Sequence, residues 1–160
     1  MANGFSKLHP KDLLERIIAD GAAQNKYVDV YRVSETGLCN RDAFICTALQ
    51  NSSTASNNRD AFLCSNEVYD IGNWSTSCFI LFSKIKGIYK LKERRGHSPA
   101  ILKGTIFPET GYSIITNERA SVIKGLVKQS RGHVDWWIFE NIDVSCDFTI
   151  VDSSEIEKEV

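Results

Sequence analysis

The stretch YVDVYRV at residues 27–33 alternates between two sets of side chains, and the rest of the chain is interpreted outward from it. Valine and tyrosine are enriched in strands, and a period of two is typical of a β-strand with one buried face. Successive side chains of a strand point to opposite faces, so Val28, Val30 and Arg32 share one side. An arginine beside valines makes an interior ion pair, reaches water from an edge, or points into a functional site.

Helix and strand patterns continue on both sides of this segment. Upstream, Leu13, Leu14, Ile17 and Ile18 form one apolar helix face, and Gly21 is placed to end that helix. Downstream, helical spacing occurs at 84–95 and 117–128, whereas strand patterns occur at 100–106, 111–115, 133–144 and 146–152. Segment 74–82 is either a strand or a strand that passes into a helix.

This order of helices and short strands predicts the α+β class. We expect a single globular domain over residues 1–152, with an N-terminal helix followed by a mainly antiparallel twisted sheet and short helices. The segment SSEIEKEV at 153–160 is expected to be an acidic, frayed tail.

Composition narrows the classes of function. The chain has 160 residues, and 19 basic against 20 acidic side chains give a net charge of −1. This balance argues against broad, non-specific binding to nucleic acid or to an anionic membrane. No apolar run approaches the roughly 20 residues of a membrane span, and the start lacks a secretory signal, so we expect a cytoplasmic protein. The basic run at 84–95 is either a solvated helix face or a local phosphate contact.

A short repeat carries two of the five cysteines. NRDAFIC at 40–46 returns as NRDAFLC at 58–64, and the cysteines stand at 39, 46, 64, 78 and 146. Structural zinc sites need close ligand pairs, which this spacing lacks, so we expect free thiols and no metal. We interpret each copy as an asparagine cap, a charged first turn and a buried phenylalanine.

Two further stretches carry residues suited to chemistry. In WSTS at 74–77, Trp74 precedes Ser75, Thr76 and Ser77, whose hydroxyls can bind a polar ligand or cap a turn. In HVDWWIFE at 133–140, Trp136 and Trp137 point to opposite faces of a strand, so we expect one in the core and the other exposed or in a cleft. Glu140 ends the apolar run. Glu140 is either solvated at the strand end or held in a site.

Arg32 in VYRV, Ser75 to Ser77 in WSTSCF and Glu140 in WWIFENID follow one another in the order arginine, serine, glutamate. This order resembles the R-S-E pattern of ADP-ribosyltransferase-type NAD-binding domains, over residues 27–151. Many members of that group carry Glu or Gln two residues before the catalytic glutamate, where this chain has Ile138. The departure leaves NAD cleavage or another acceptor open, and His133 could belong to a histidine-containing variant of the site.

The resemblance implies that NAD is a substrate and that no metal is required. Glu140 would stabilise positive charge on the ribose, Arg32 would hold a phosphate or ribose oxygen, and Ser75 would orient these groups. The protein would then be a small cytoplasmic ADP-ribosyltransferase or NAD glycohydrolase, of the kind found among toxins and effectors. The remaining substrate-binding residues would be Tyr31, Trp74, Thr76, Ser77, His133 and Trp136.

An alternative from another class is a non-enzymatic binding module, such as an immunity or inhibitor protein that recognises one protein partner. Near-neutral charge and many aromatic residues suit it, with Trp74, Trp136 and Trp137 as interface anchors. An RNA-binding domain that uses 84–95 is a third interpretation, which the overall charge disfavours. If Arg32, Ser75 and Glu140 line one cleft, the structure would favour the enzyme interpretation. If they are scattered and an apolar patch is exposed, it would favour the binding module.

Overall fold

Six antiparallel strands form one open sheet, with helices packed on it, in the computed structural model of the chain. The model describes residue 5 and residues 11–24, 28–46, 71–140 and 142–158. The strand order across the sheet is β4-β5-β2-β1-β3-β6. The strands are β1 (Val28–Ser34), β2 (Thr76–Phe79), β3 (Ala100–Ile106), β4 (Gly111–Ile115), β5 (His133–Ile138) and β6 (Phe148–Ile150). The predicted α+β class, with an N-terminal helix before the sheet, is confirmed.

Strand β1 lies at the centre of the sheet and follows the predicted alternation. Its register with β3 runs from Val28 opposite Ile106 to Ser34 opposite Ala100. Val30, Arg32 and Ser34 are buried on one face, whereas Tyr31 and Val33 lie on the other. Arg32 is therefore buried in the middle of the sheet and does not reach water at an edge.

The two faces of the sheet carry different cores. One face holds a single cluster that includes Val30, Cys78, Leu102 and Trp136, covered by Phe44. The opposite face holds two separate clusters, one under helix α1 (Leu13–Ala19) and one under helix α2 (Phe82–Arg94). Trp137 belongs to the α1 cluster, so the two tryptophans lie on opposite faces as predicted. Both are fully buried, so the expectation that one of them is exposed or in a cleft is wrong: each face of the sheet carries its own apolar core.

Helix α1 differs from the predicted apolar face in one respect. Leu13 and Ile17 are buried against the sheet, whereas Leu14 and Ile18 are exposed. Leu13 and Ile17, which lie one helical turn apart, are the residues of α1 that pack in the α1 cluster. Gly21 ends the helix with a positive φ of 108°, as its position predicted.

Two other segments depart from the sequence interpretation. The helix predicted over 117–128 is reduced to a 3-10 turn and helix α3 (Ala120–Ile123). Gly125, at a φ of 79°, stops it. The segment interpreted as a tail begins with helix α4 (Ser153–Lys158), and Ile156 is buried in the α2 cluster.

The first copy of the repeat behaves as an asparagine cap. The Asn40 side chain accepts a hydrogen bond from the Ala43 N–H at 3.3 Å, at the start of the 3-10 helix Arg41–Phe44, and Phe44 is buried. The second copy, at 58–64, lies outside the described residues. Cys39, Cys78 and Cys146 carry free thiols.

Candidate functional site

A polar cluster is buried around Asp135, near the amino-terminal end of β5. The Thr116 hydroxyl donates to Asp135 Oδ2 at 2.9 Å, and Arg119 Nη1 donates to the same oxygen at 3.1 Å. Ser75 Oγ lies 2.7 Å from Asp135 Oδ1. The alternation of β5 puts Asp135 on the face that carries two separate apolar clusters. We call Asp20, Ser75, Thr116, Arg119, Ser121, His133 and Asp135 the Asp135 network.

Arg119 links Asp135 to a second carboxylate, that of Asp20, which lies 99 residues before Arg119 in the sequence. Its Nε donates to Asp20 Oδ2 at 2.7 Å, and the Ser121 N–H donates to Asp20 Oδ1 at 2.8 Å. Burial raises the pKa of Asp20, but the hydrogen bonds from Arg119 and Ser121 outweigh it and hold that pKa below its ordinary value. Burial likewise opposes the charge of Arg119, yet the bond to Asp20 and the nearby Asp135 raise its pKa.

His133 adjoins the same network. Its Nδ1 lies 2.6 Å from Thr116 Oγ1 and 3.9 Å from Asp135 Oδ1. Burial lowers the pKa of His133 more than the charge of Asp135 raises it, and Arg119 and Arg32 add to the lowering. The imidazole is therefore neutral at pH 7.

Arg32 is committed to backbone oxygens on the opposite face of the sheet. Its Nε donates to the Ala43 carbonyl at 2.6 Å, and Nη1 donates to the Ser77 carbonyl at 2.6 Å. A weaker contact at 3.5 Å joins Nη2 to the Ile45 carbonyl. Burial lowers the pKa of Arg32, although Cys78 and Cys46 act in the other direction. Arg32 thus fastens the segment 43–45 to β2.

A cavity of about 230 Å³ opens where β5 ends and β2 begins. Its walls are mostly apolar, and it has one carboxylate and one guanidinium in its lining. The Arg41 guanidinium donates a hydrogen bond to the backbone carbonyl of Glu140. Glu140 is an exposed residue. We call this the Glu140 cavity; it is lined by Arg41, Phe44, Ile45, Cys46, Trp74, Thr76, Ile138, Phe139, Glu140, Ile142 and Val144.

Arg32, Ser75 and Glu140, which the enzyme interpretation expected in one cleft, fall into separate places, and only Glu140 lines the Glu140 cavity. Trp74, Thr76 and Glu140 come together in the lining of the Glu140 cavity. Ser75 and His133 belong to the Asp135 network, and Arg32 lies behind the cavity wall.

The other three predicted residues do not line the Glu140 cavity. Tyr31 packs edge-on against Phe82 of helix α2, with ring centroids 5.2 Å apart. Ser77 contributes its backbone carbonyl to Arg32. Trp136 is buried in the core beside Phe44 and Phe148.

Several site residues were missed by the sequence interpretation. Arg41 lines the cavity but was interpreted only as part of a capped first turn. Asp135 stands between Val134 and Trp136 in an apolar run of the sequence, and a carboxylate at such a position is buried only with partners. That pattern could have identified Asp135, but its partners Asp20 and Arg119 lie too far away in sequence to be inferred from spacing.

A second, wider depression lies beside the Asp135 network. It measures about 500 Å³, and its lining includes Asp20, Arg119, Lys124 and Leu126. We call it the Arg119 groove. Leu126 at its rim is 77% exposed, and neighbouring Ile123 is 74% exposed. These two side chains are the most exposed large apolar groups of the described segments.

Within the described segments, no group of three or more His, Cys, Asp or Glu side chains is arranged to hold a metal ion. The helices described there are all too short or too polar to cross a lipid bilayer. Comparisons of the chain with protein-family models, with curated proteins and with solved structures give no match.

Proposed function

We propose that the chain binds NAD, or a related nucleotide, at the Glu140 cavity and cleaves the bond between nicotinamide and ribose. The activity would be that of an NAD glycohydrolase or an ADP-ribosyltransferase. The observation that carries the proposal is that Trp74, Thr76 and Glu140, from two distant parts of the sequence, line one cavity. Of the R-S-E triad only Glu140 lines this cavity, whereas Arg32 and Ser75 lie outside its lining; Trp74 and Thr76 are residues to which the resemblance gave substrate-binding roles.

The size of the cavity matches part of a dinucleotide. Pockets for whole ligands of this kind measure about 300–1,000 Å³. A volume of about 230 Å³ with aromatic walls suits a single ring, such as nicotinamide, beside Trp74 and Phe44. The ribose and phosphates would extend across the rim, where Arg41 and Glu140 lie.

The charges at the rim suit the chemistry of this bond. When nicotinamide leaves with the bonding electrons, positive charge develops on the ribose C1′, as in glycoside cleavage. The Glu140 carboxylate would stabilise that charge. Water, or an acceptor hydroxyl, would then bond to C1′ and release a proton.

We assign the phosphate clamp to Arg41 instead of Arg32. The Arg32 guanidinium already donates to backbone carbonyls, so it acts as a positioning residue for the wall formed by 43–45. Arg41 is exposed, and only one donor of its planar fork engages the Glu140 carbonyl in the described structure. Its remaining donors can bind phosphate oxygens.

Calorimetry with NAD and with free nicotinamide tests this proposal. Wild-type protein should bind NAD, and Arg41→Ala should weaken binding roughly tenfold or more because a charge-assisted hydrogen bond contributes about 1.5–3 kcal/mol. Arg95→Ala removes an exposed arginine outside the cavity lining and should leave affinity unchanged. If wild type binds no NAD at millimolar concentration, the proposal is wrong.

A protein-binding function is the second candidate, and exposed apolar groups favour it. Ile123 and Leu126 expose large apolar side chains next to the Arg119 groove, where Lys124 adds positive charge. The buried Trp74, Trp136 and Trp137 are not exposed anchors for such an interface. A photo-reactive residue at 126 should then cross-link one partner in cells, whereas the same residue at Arg94 should not. Equal cross-linking from both positions would count against this function.

A further inference from the structure

We propose that Asp135, Thr116 and His133 form a second chemical site, in which a hydrogen-bond relay holds the imidazole proton on Nδ1 and presents Nε2 as a base to small hydroxyl-bearing molecules, water included. This site lies at the amino-terminal end of β5. At about 3.4 Å per residue, it is roughly 17 Å along the strand from Ile138 at the Glu140 cavity. It does not depend on the NAD proposal.

The position of the proton follows from counting donors. A threonine hydroxyl has one proton, and that of Thr116 is donated to Asp135 Oδ2 at 2.9 Å. At 2.6 Å from His133 Nδ1, the same oxygen must therefore act as the acceptor. The proton of the neutral ring lies on Nδ1, and the lone pair lies on Nε2.

Nε2 is open to a ligand. It has no hydrogen-bond partner among the described residues, and 16% of the His133 side chain is exposed to solvent. The ring is held in place by Phe79, edge-on at 5.0 Å between centroids. The charged groups that act on it are Asp135, Arg119 and Arg32, and burial keeps its pKa below the ordinary value. The base is thus in its unprotonated form at neutral pH.

The relay also stabilises the protonated form of the base. When Nε2 takes a proton from water or an alcohol, the ring becomes an imidazolium with protons on both nitrogens. The Nδ1–H stays bonded to Thr116, and the negative charge of Asp135 stabilises the new positive charge. The other product is hydroxide or alkoxide, which is the nucleophile such a site would deliver.

Nitrogen NMR of the ¹⁵N-labelled imidazole tests the proposal directly. The two-bond nitrogen–proton correlations of wild type should show His133 protonated on Nδ1 at pH 7. Thr116→Val removes the relay and should raise the population protonated on Nε2, whereas Thr116→Ser keeps the hydroxyl and should behave as wild type. If Thr116→Val does not fold, the wild-type and Thr116→Ser spectra still decide the tautomer. A wild-type proton on Nε2 overturns the proposal.

Carbethoxylation by diethyl pyrocarbonate provides a second measurement. The reagent transfers its acyl group to an unprotonated ring nitrogen and releases ethanol and carbon dioxide. Peptide mapping should show that His133 of wild type reacts, and that its reactivity persists to lower pH than that of an unstructured histidine peptide. Loss of this difference in Thr116→Val, with its return in Thr116→Ser, supports the relay. A His133 that is unreactive in wild type overturns it.

Discussion

The two ends of strand β5 hold polar side chains in opposite ways. At the amino-terminal end, Asp135 is buried and receives hydrogen bonds from Thr116 and Arg119. At the carboxyl-terminal end, Glu140 is exposed at the rim of an apolar cavity. A satisfied buried charge specifies the fold, whereas an exposed charge beside apolar walls retains its capacity for a ligand. A charged residue in a sequence does not reveal which of these two roles it has.

Asp135→Ala should break the amino-terminal end and have the largest effect on stability. It leaves Arg119 buried with Asp20 as its remaining carboxylate in the network, and removing one partner of a buried pair costs about 3–5 kcal/mol. Urea unfolding measures the loss. Asp29→Ala, at an exposed aspartate that accepts one hydrogen bond from Thr105, should cost less than about 1 kcal/mol. Equal losses for both variants would contradict the role of the network.

Arg32→Met tests whether this arginine is scaffold or ligand clamp. It leaves backbone carbonyls of Ala43 and Ser77 without their donor, which should cost about 2–4 kcal/mol of unfolding free energy. We expect NAD affinity to fall only to the extent that loss of these hydrogen bonds displaces the cavity wall formed by 43–45. Wild-type stability combined with lost NAD binding would restore Arg32 to the phosphate-binding role that the sequence predicted.

Asn40→Ala should have a smaller effect at the cavity end. The substitution removes the side chain that accepts from the Ala43 N–H, and loss of such a cap costs about 0.5–2 kcal/mol. The same measurement on Asn58→Ala tests whether the second copy of the repeat is also a cap. A loss for Asn40 with none for Asn58 would show that the repeated sequence does not have a repeated role.

His133 gives the amino-terminal end a pH dependence of known sign. Because its pKa in the folded protein lies below 6.5, the unfolded chain binds the proton more readily. Stability should therefore fall as the pH drops through about 6.5 towards the folded pKa. In His133→Gln this part of the pH profile should flatten. An unchanged slope would show that His133 is not shielded as described.

Local patterns predicted much of the fold. The alternation of Val28, Val30 and Arg32 predicted β1 and its buried face, because the period of a strand is a local property. The helix predicted over 117–128 failed for an equally local reason. Its apolar spacing is helical, but Gly125 ends the helix and Leu126 finds no apolar surface to cover it in the described structure.

The candidate site was only partly within reach of the sequence. Trp74, Thr76 and Glu140 were selected in advance, and the structure brings them to one cavity. The Asp135 network depends on Asp20 and Arg119, which meet only when α1 packs beside the turn before α3. Pairings of that kind depend on the tertiary fold, so no spacing in the sequence could indicate them.

We propose that NAD is cleaved at the end of the sheet that carries Glu140. Nicotinamide release from NAD, measured for wild type, Glu140→Gln and Glu109→Gln, tests it most directly. Glu109 is an exposed glutamate before β4 that does not line the cavity. We predict release by wild type and by Glu109→Gln, and a rate about 10²–10³ lower for Glu140→Gln, whose amide keeps the shape and loses the charge. A Glu140→Gln protein that releases nicotinamide as fast as wild type would contradict the role proposed for Glu140 in cleaving NAD.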